Sequence, residues 1–297
     1  MRTEIIGDTE ICYELKGDGY PLVMIMGLTA NMDWWGKELI DQLAERYRLL
    51  MFDNRGTGRS SAGRKRFTMK RFACDTVRLM HRLGIARANV FGVSMGGMIA
   101  QELALNHPDR VNRLVLGCTF CGGVRATRPG PEVIKTLVHR ADTVEDQARL
   151  TLPLLFTKEW LEEHPDMADE YIKTVSIAPI NPLNAFRQMA AIAGFSTYGR
   201  LPRIQSPTLV MCGTDDALVP PENSALLARR IPGATLREFD DAAHGFITQC
   251  PEEVVSAVVD FLSASLGDPG RSRQAGRFPT HYHLGVTDHP FEEFLAG

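Results

Sequence analysis

A chain of 297 residues, 44% hydrophobic and 23% charged, is long enough to bury a large core and has the composition of a globular protein. Its formal net charge of −3 argues against a nucleic-acid-binding protein, which would carry a basic face. No apolar run approaches the roughly 20 residues that cross a bilayer, and residues 1–8 lack the apolar segment of a signal peptide. We therefore expect a cytoplasmic protein with no nucleic-acid or membrane partner.

Short apolar segments predict β-strands, and helical patterns separate most of them. Two alternating strands come first and are followed by continuous apolar runs typical of buried parallel strands. The predicted strands are 2–6, 10–15, 22–26, 48–52, 89–93, 113–116, 208–212 and 234–239. Predicted helices are 36–45, 68–83, 98–106, 221–230 and 251–266. This alternation predicts the α/β class, with a mostly parallel sheet between helices and ligand sites at the carboxyl ends of its strands.

The segment 120–201 interrupts the alternation, because its pattern is mainly helical and prolines divide it into short helices. An insertion between two sheet strands, at their carboxyl ends, is well placed to be a cap. We therefore predict a core domain of residues 1–119 and 202–266, a helical cap of 120–201, and a linker with a C-terminal tail over 267–297. The tail carries aromatic residues, which predicts docking on the body or on a second subunit, as in a homo-oligomer.

The most informative motif is Gly-Val-Ser-Met-Gly, centred on Ser94 between a predicted strand and a helix. Glycines two positions before and after a serine permit a tight, strained turn that exposes the hydroxyl. The helix beneath it offers unpaired N–H groups that favour developing negative charge. The motif predicts a nucleophile, and the alternative is a glycine-rich turn that only joins two elements.

A serine nucleophile needs a base, usually a histidine oriented by a carboxylate. Of the eight histidines, only His244 comes directly after a predicted strand and before a helix. Asp215 and Asp216 follow the strand at 208–212, and their spacing alone leaves both open as the acid. For His244 the alternative is a surface-loop histidine.

Together these residues resemble the α/β-hydrolase fold family. The resemblance rests on the Ser94 turn, on Asp216 with Pro220 four residues later, on His244 in Ala-His-Gly-Phe, and on Phe-Asp-Asn-Arg-Gly-Thr-Gly-Arg-Ser at 52–60. It covers residues 3–266 and weakens across the predicted cap. It implies an eight-stranded α/β-hydrolase sheet flanked by helices, and it favours Asp216 over Asp215 as the acid.

The resemblance also implies an oxyanion hole built from two backbone N–H groups, those of Met95 and Leu28. Where the family commonly has His-Gly, this chain has Met26-Gly27. That form looks like the one in esterases and methylesterases of the family that act on bulky apolar esters. Haloalkane dehalogenase chemistry is disfavoured, since it needs a carboxylate at the position of Ser94.

We predict an apolar substrate pocket in which one of Trp34 and Trp35 packs in the core and the other, assigned here as Trp35, faces the substrate. Helix packing is an equally good explanation for the aromatic residues of the cap. The predicted pocket residues are Gly27, Trp35, Phe156, Trp160, Met189 and Phe246.

We predict no metal and no cofactor. The six cysteines are scattered and are best explained as free thiols, and neither Cys118-x-x-Cys121 nor the tail histidines His281, His283 and His289 form a convincing ligand set. The function predicted is a carboxylesterase that hydrolyses a small-molecule ester through an acyl-enzyme. A lactonase, a C–C bond hydrolase, a perhydrolase and a non-catalytic ligand-binding protein remain alternatives.

Overall fold

The computed structural model describes residues 1–139 and 141–264, and an eight-stranded sheet forms their centre. All eight predicted strands are confirmed, each with both ends within two residues of the prediction. The strands are β1 (Arg2–Ile6), β2 (Thr9–Lys16), β3 (Tyr20–Ile25), β4 (Tyr47–Phe52), β5 (Ala88–Val93), β6 (Val111–Gly117), β7 (Thr208–Gly213) and β8 (Thr235–Phe239).

The sheet order is β1-β2-β4-β3-β5-β6-β7-β8. β2 pairs antiparallel with β1 and β4, and the remaining neighbours are parallel, so the sheet is mostly parallel as predicted. Parallel strands end at the same edge of a sheet. The loops that follow β3, β5, β7 and β8 therefore meet at one edge, where ligand sites of this fold class lie.

Helices cover both faces of the sheet. In chain order they are α1 (Lys37–Ala44), α2 (Met69–Arg82), α3 (Met95–Asn106), α4 (Pro131–Val138), α5 (Val144–Leu155), α6 (Lys158–Glu163), α7 (Met167–Ile177), α8 (Pro182–Ala193), α9 (Glu222–Arg230), α10 (Phe246–Gln249) and α11 (Pro251–Ser263). No helix in the part of the chain that the structure describes is both long and apolar enough to cross a membrane.

Two hydrophobic clusters lie on opposite faces of the sheet. Alternate residues of β3 go to different clusters, Val23 to one and Leu22 to the other. The first cluster includes side chains of α2, α3 and α9, and the second includes side chains of α1 and α11. Because neighbouring strand residues point to opposite faces, this division shows that the sheet is buried on both sides.

Helices α4 to α8 occupy the segment between β6 and β7, where the sequence predicts a helical insertion. Pro131 and Pro182 begin α4 and α8, but Pro153 lies inside α5 and does not divide it. It stands two residues before the end of α5, and its missing N–H removes only the one hydrogen bond that would go to the carbonyl oxygen of Arg149. The predicted linker and tail, 267–297, lie outside the described residues.

Helix α3 begins at Met95, three residues before the predicted start at residue 98. Gly96 and Gly97 lower the intrinsic helix propensity of this turn, which made a later start the better expectation. Close packing decides otherwise: a Cβ on Gly96 would lie 1.9 Å from the carbonyl oxygen of Ile25. As a result, Ser94 stands directly before the first turn of α3.

Candidate active site

Ser94 lies in a strained turn between β5 and α3, with φ 54° and ψ −123°. The two flanking glycines permit this turn, since a Cβ on Gly92 would lie 2.3 Å from the carbonyl oxygen of Gly96. The Ser94 N–H donates to the carbonyl oxygen of Gly117 at 2.9 Å, and the Thr119 hydroxyl donates to the carbonyl oxygen of Ser94 at 2.7 Å. A backbone group of β6 and a side chain of the loop after it therefore hold the strained conformation in place.

His244 follows β8 and Asp216 follows β7, and the two side chains meet. His244 Nδ1 lies 2.8 Å from Asp216 Oδ2. A carboxylate only accepts hydrogen bonds, so Nδ1 carries the hydrogen and Nε2 is left free to accept a proton. Asp216 Oδ1 accepts from the backbone N–H groups of Leu218 at 2.9 Å and Val219 at 2.8 Å, which fixes the plane of the carboxylate.

The neighbouring Asp215 is exposed, whereas Asp216 and His244 are both buried. Burial alone would lower the pKa of His244, but the Asp216 carboxylate and the nearby Cys118 outweigh it, so the pKa is raised well above its ordinary value. The imidazole therefore holds its proton to higher pH than a free histidine does.

Cys118 is a neighbour of this pair that the sequence reasoning missed. It is the residue directly after β6, it is buried, and its backbone has a positive φ of 38°. Its Sγ, an oxygen of Asp216 and a ring nitrogen of His244 all lie within 4.8 Å of one another. These three donor types could hold a metal ion, although an ion there would compete with the 2.8 Å hydrogen bond of the pair. The six cysteines are free thiols, as predicted.

A cavity of about 520 Å³ opens beside Ser94, which lines it together with His244. The walls are mainly apolar and come both from loops at the edge of the sheet and from the inserted helices. Of the predicted pocket residues, Gly27 and Phe156 lie in this wall. Met189 lies instead in the wall of a second cavity formed mostly by the inserted helices.

Trp34 lines the cavity and Trp35 does not, so the assignment of Trp35 to the pocket is corrected. Trp35 is 1% exposed and packs against Phe91, with ring centroids 5.1 Å apart. The two tryptophans are consecutive in a short 3₁₀ turn (Met32–Trp35), where adjacent side chains point in different directions. The sequence could not tell which of them faces the core.

Phe246 and Trp160 also lie outside the cavity wall. Phe246 is buried in the core, where its ring centroid lies 5.2 Å from that of Phe239. Trp160 stacks between two other rings of the insertion, those of Phe156 at 5.0 Å and His164 at 4.0 Å. Both aromatic residues are used for packing, which for Trp160, in the cap, was the alternative explanation; the assignment of Phe246 to the pocket is corrected.

The loop with the sequence Met26-Gly27-Leu28 passes directly beside Ser94, since a Cβ on Gly27 would lie 3.0 Å from Ser94 Cβ. The loop is held from two sides. On one side, Asn54 Nδ2 donates to the carbonyl oxygen of Met26 at 3.0 Å. The segment after β4 therefore supports the loop beside Ser94.

From the other side, Gln188 of α8 reaches the end of the same loop. Gln188 Oε1 accepts from the Thr29 N–H at 2.8 Å, and its Nε2 donates to Thr57 Oγ1 at 2.6 Å. Gln188 is fully buried, and the sequence carried no signal for it, because only the packing of the insertion brings it to this loop.

A family model described as the alpha/beta hydrolase fold matches residues 20–248. The chain belongs to this family. The match includes β3 to β8, the turn with Ser94, and both members of the His244–Asp216 pair. Together with the names of its relatives, membership makes the protein an α/β-fold hydrolase.

Relatives of this α/β hydrolase carry several different activity names. A protein of Azorhizobium caulinodans named "Putative carbamate hydrolase RutD" is 31% identical over 247 residues, covering 83% of this chain and 92% of that protein. The poly(3-hydroxyalkanoate) depolymerase of Ectopseudomonas oleovorans is 31% identical over 243 residues, covering 82% and 84%. The crystal structure of the enol-lactonase from Burkholderia xenovorans LB400 matches with a TM-score of 0.78 and 29% identity. The match covers 89% of this chain and 100% of the enol-lactonase chain.

Proposed function

We propose that this hydrolase is a carboxylesterase that cleaves apolar esters through an acyl-enzyme on Ser94. One observation carries the proposal: a strained, glycine-flanked serine shares an apolar cavity with a histidine that is already paired to a buried carboxylate. Apolar walls suit an ester whose acyl and alcohol groups are uncharged, because burying an unpaired polar or charged group there would be costly.

In the proposed mechanism, Ser94 Oγ attacks the ester carbonyl while His244 Nε2 takes its proton. The proton then passes from His244 to the departing alcohol, and the acyl group stays on Ser94. Water is activated by the same nitrogen and releases the acid. Asp216 keeps the imidazole in the required tautomer by accepting from Nδ1, and it stabilises the imidazolium that forms transiently.

The negative charge that develops on the carbonyl oxygen is stabilised by the backbone N–H groups of Met95 and Leu28. Met95 is the first residue of α3, where N–H groups have no partner within the helix and the helix dipole favours an anion. Leu28 follows Gly27, which lies against Ser94. A donor of this type contributes roughly 100- to 1000-fold to turnover.

A lactonase is the second candidate, because the same groups would open a cyclic ester with the alcohol still attached to the acyl chain. Two structural neighbours favour it, the enol-lactonase and Est816, a structure titled as an N-acyl homoserine lactone degrading enzyme with a TM-score of 0.76 and 26% identity. The relative named for carbamate hydrolysis adds a third acyl chemistry that such a site could perform.

The test is a panel of p-nitrophenyl esters run beside a panel of lactones, with Ser94→Ala as the control. The proposal predicts a rapid burst of p-nitrophenol, equal in amount to the enzyme, that Ser94→Ala lacks. Lactone turnover that exceeds ester turnover would assign the lactonase activity instead. Failure of the folded wild-type protein on both panels would contradict the proposed chemistry.

A further inference from the structure

A second cavity, of about 500 Å³, adjoins the cavity that contains Ser94. The two cavities share six wall residues, Leu28, Thr29, Trp34, Leu137, Thr151 and Tyr171. Each cavity alone falls within the range of about 300–1,000 Å³ that holds a small ligand. The mechanism proposed above uses only the first cavity, so the second is free for another part of the substrate.

Two aromatic rings stand at the boundary between the cavities. Trp34 meets Tyr171 edge to face, with ring centroids 5.3 Å apart. Burial raises the pKa of Tyr171 to about 12, so its hydroxyl, which lies 3.5 Å from Thr151 Oγ1, stays neutral. The boundary therefore presents ring edges and neutral hydroxyls, which an apolar chain can contact without desolvating a charge.

Several large apolar side chains in the wall of the second cavity are also exposed to solvent. Val138 and Phe186 are each 64% exposed, and Val144 is 42% exposed. Apolar residues exposed singly need no explanation, but a group of them around one cavity marks a surface that an apolar ligand covers. These residues come from α4, α5 and α8, all in the insertion.

We propose that the second cavity binds the distal part of a long aliphatic chain whose ester group is held at Ser94. The chain would pass the Trp34–Tyr171 boundary, and its far end would be covered by the exposed apolar residues. The substrate class is thus a long-chain aliphatic ester rather than a short acyl ester. This inference rests on the proposed ester chemistry.

Ala185→Trp is the variant that tests this assignment, because Ala185 lies in the wall of the second cavity and not of the first. Ala190→Trp is the matched control, since Ala190 is an exposed residue of the same helix, α8, that lines neither cavity. The substrates are p-nitrophenyl butyrate, octanoate and dodecanoate.

For the wild-type protein we expect kcat/KM to rise along this series, by up to roughly fourfold for each further methylene that is buried. Ala185→Trp should leave butyrate turnover unchanged and lower kcat/KM for dodecanoate by roughly tenfold or more, the equivalent of two methylenes. Ala190→Trp should match the wild type on all three substrates. Butyrate turnover reports whether each variant is folded. If Ala185→Trp does not fold, the smaller substitution Ala185→Leu takes its place.

Dodecanoate turnover by Ala185→Trp equal to that of the wild type would overturn the inference while leaving the ester chemistry intact. A wild-type kcat/KM that falls from butyrate to octanoate and dodecanoate would also overturn it. If the folded wild type cleaves no ester, the proposed function fails. The cavity can still be tested by calorimetric titration of Ser94→Ala with dodecanoic acid. Weaker binding when Ala185→Trp is added to that protein supports the second cavity as the binding site, and unchanged binding contradicts it. The inference would also be overturned if light scattering showed that the wild type is a dimer and Ala185→Trp a monomer, because a second copy of the chain would then cover the exposed apolar residues.

Discussion

Replacing Asp216 by asparagine is expected to stop catalysis without unfolding the protein. Asp216 Oδ1 accepts from two backbone N–H groups, those of Leu218 and Val219. In the variant the amide oxygen must take that position, because the NH₂ group would face two donors there. The NH₂ group then points at His244 Nδ1, which in the wild type lies 2.8 Å from Oδ2.

An NH₂ group donates, so His244 Nδ1 has to accept and the ring hydrogen moves to Nε2. Nε2 can then no longer take the proton of Ser94. A wrong tautomer of this kind lowers kcat by about 10,000-fold, which corresponds to about 5.4 kcal/mol of transition-state stabilisation. Exchanging the orienting aspartate of a serine protease triad for asparagine has an effect of the same size.

Asp215→Asn is the matched control because Asp215 is adjacent, carries the same charge and is exposed. A substitution at an exposed position changes the free energy of unfolding by at most about 0.5 kcal/mol. For kcat we expect a change of no more than about twofold, the rate ratio that corresponds to this energy. The assay is kcat for p-nitrophenyl butyrate, with thermal unfolding of both variants to show that they are folded. Near-normal turnover by Asp216→Asn, or a collapse caused by Asp215→Asn, would refute the reasoning.

Four further predictions concern other parts of the molecule. Ser94→Ala should fold normally and lose turnover by about a millionfold, and near-wild-type hydrolysis would exclude the mechanism. Since the pKa of His244 is raised and only neutral imidazole is a base, kcat/KM should rise with pH through an ionisation above about 6.5; a rise that is complete below that pH would contradict the assignment. Gln188→Leu should loosen the loop beside Ser94 and lower kcat by up to about 100-fold; an unchanged kcat with a lower melting temperature would mean that Gln188 only supports the fold. Truncation after Leu266 should leave kcat unchanged and reduce the oligomeric mass or the melting temperature, and a loss of turnover in a folded protein would place the tail in the active site.

The strands and the turn with Ser94 could be predicted because local rules govern them. A buried parallel strand requires a continuous apolar run, and such runs predict β3 to β7 within two residues. The Ser94 turn requires glycines two positions away on each side, since a Cβ on either would clash with backbone. Parallel strands also end at one edge, so residues that follow β7 and β8, such as Asp216 and His244, were expected near each other.

Asp216 and Asp215 show where spacing stops being informative. Both follow β7, and only the resemblance to the family favoured Asp216, whose carboxylate the structure places against His244. The start of α3 shows a similar limit, because two glycines argue for a later start and the packing of Gly96 against β3 outweighs their propensity.

By itself, the sequence determined the fold class, the order of the strands along the chain and the strained turn at Ser94, each of which depends on residues close in the chain. Only the tertiary structure decided that Trp34 rather than Trp35 faces the cavity, that Cys118 lies beside His244, and that Gln188 supports the loop after β3. These contacts join residues from separate elements. Gln188 and Thr29, for example, are 159 positions apart in the sequence. The physical reason is that a side chain's direction out of a turn or helix depends on which surface packs against it, and that surface is assembled only when the whole chain folds.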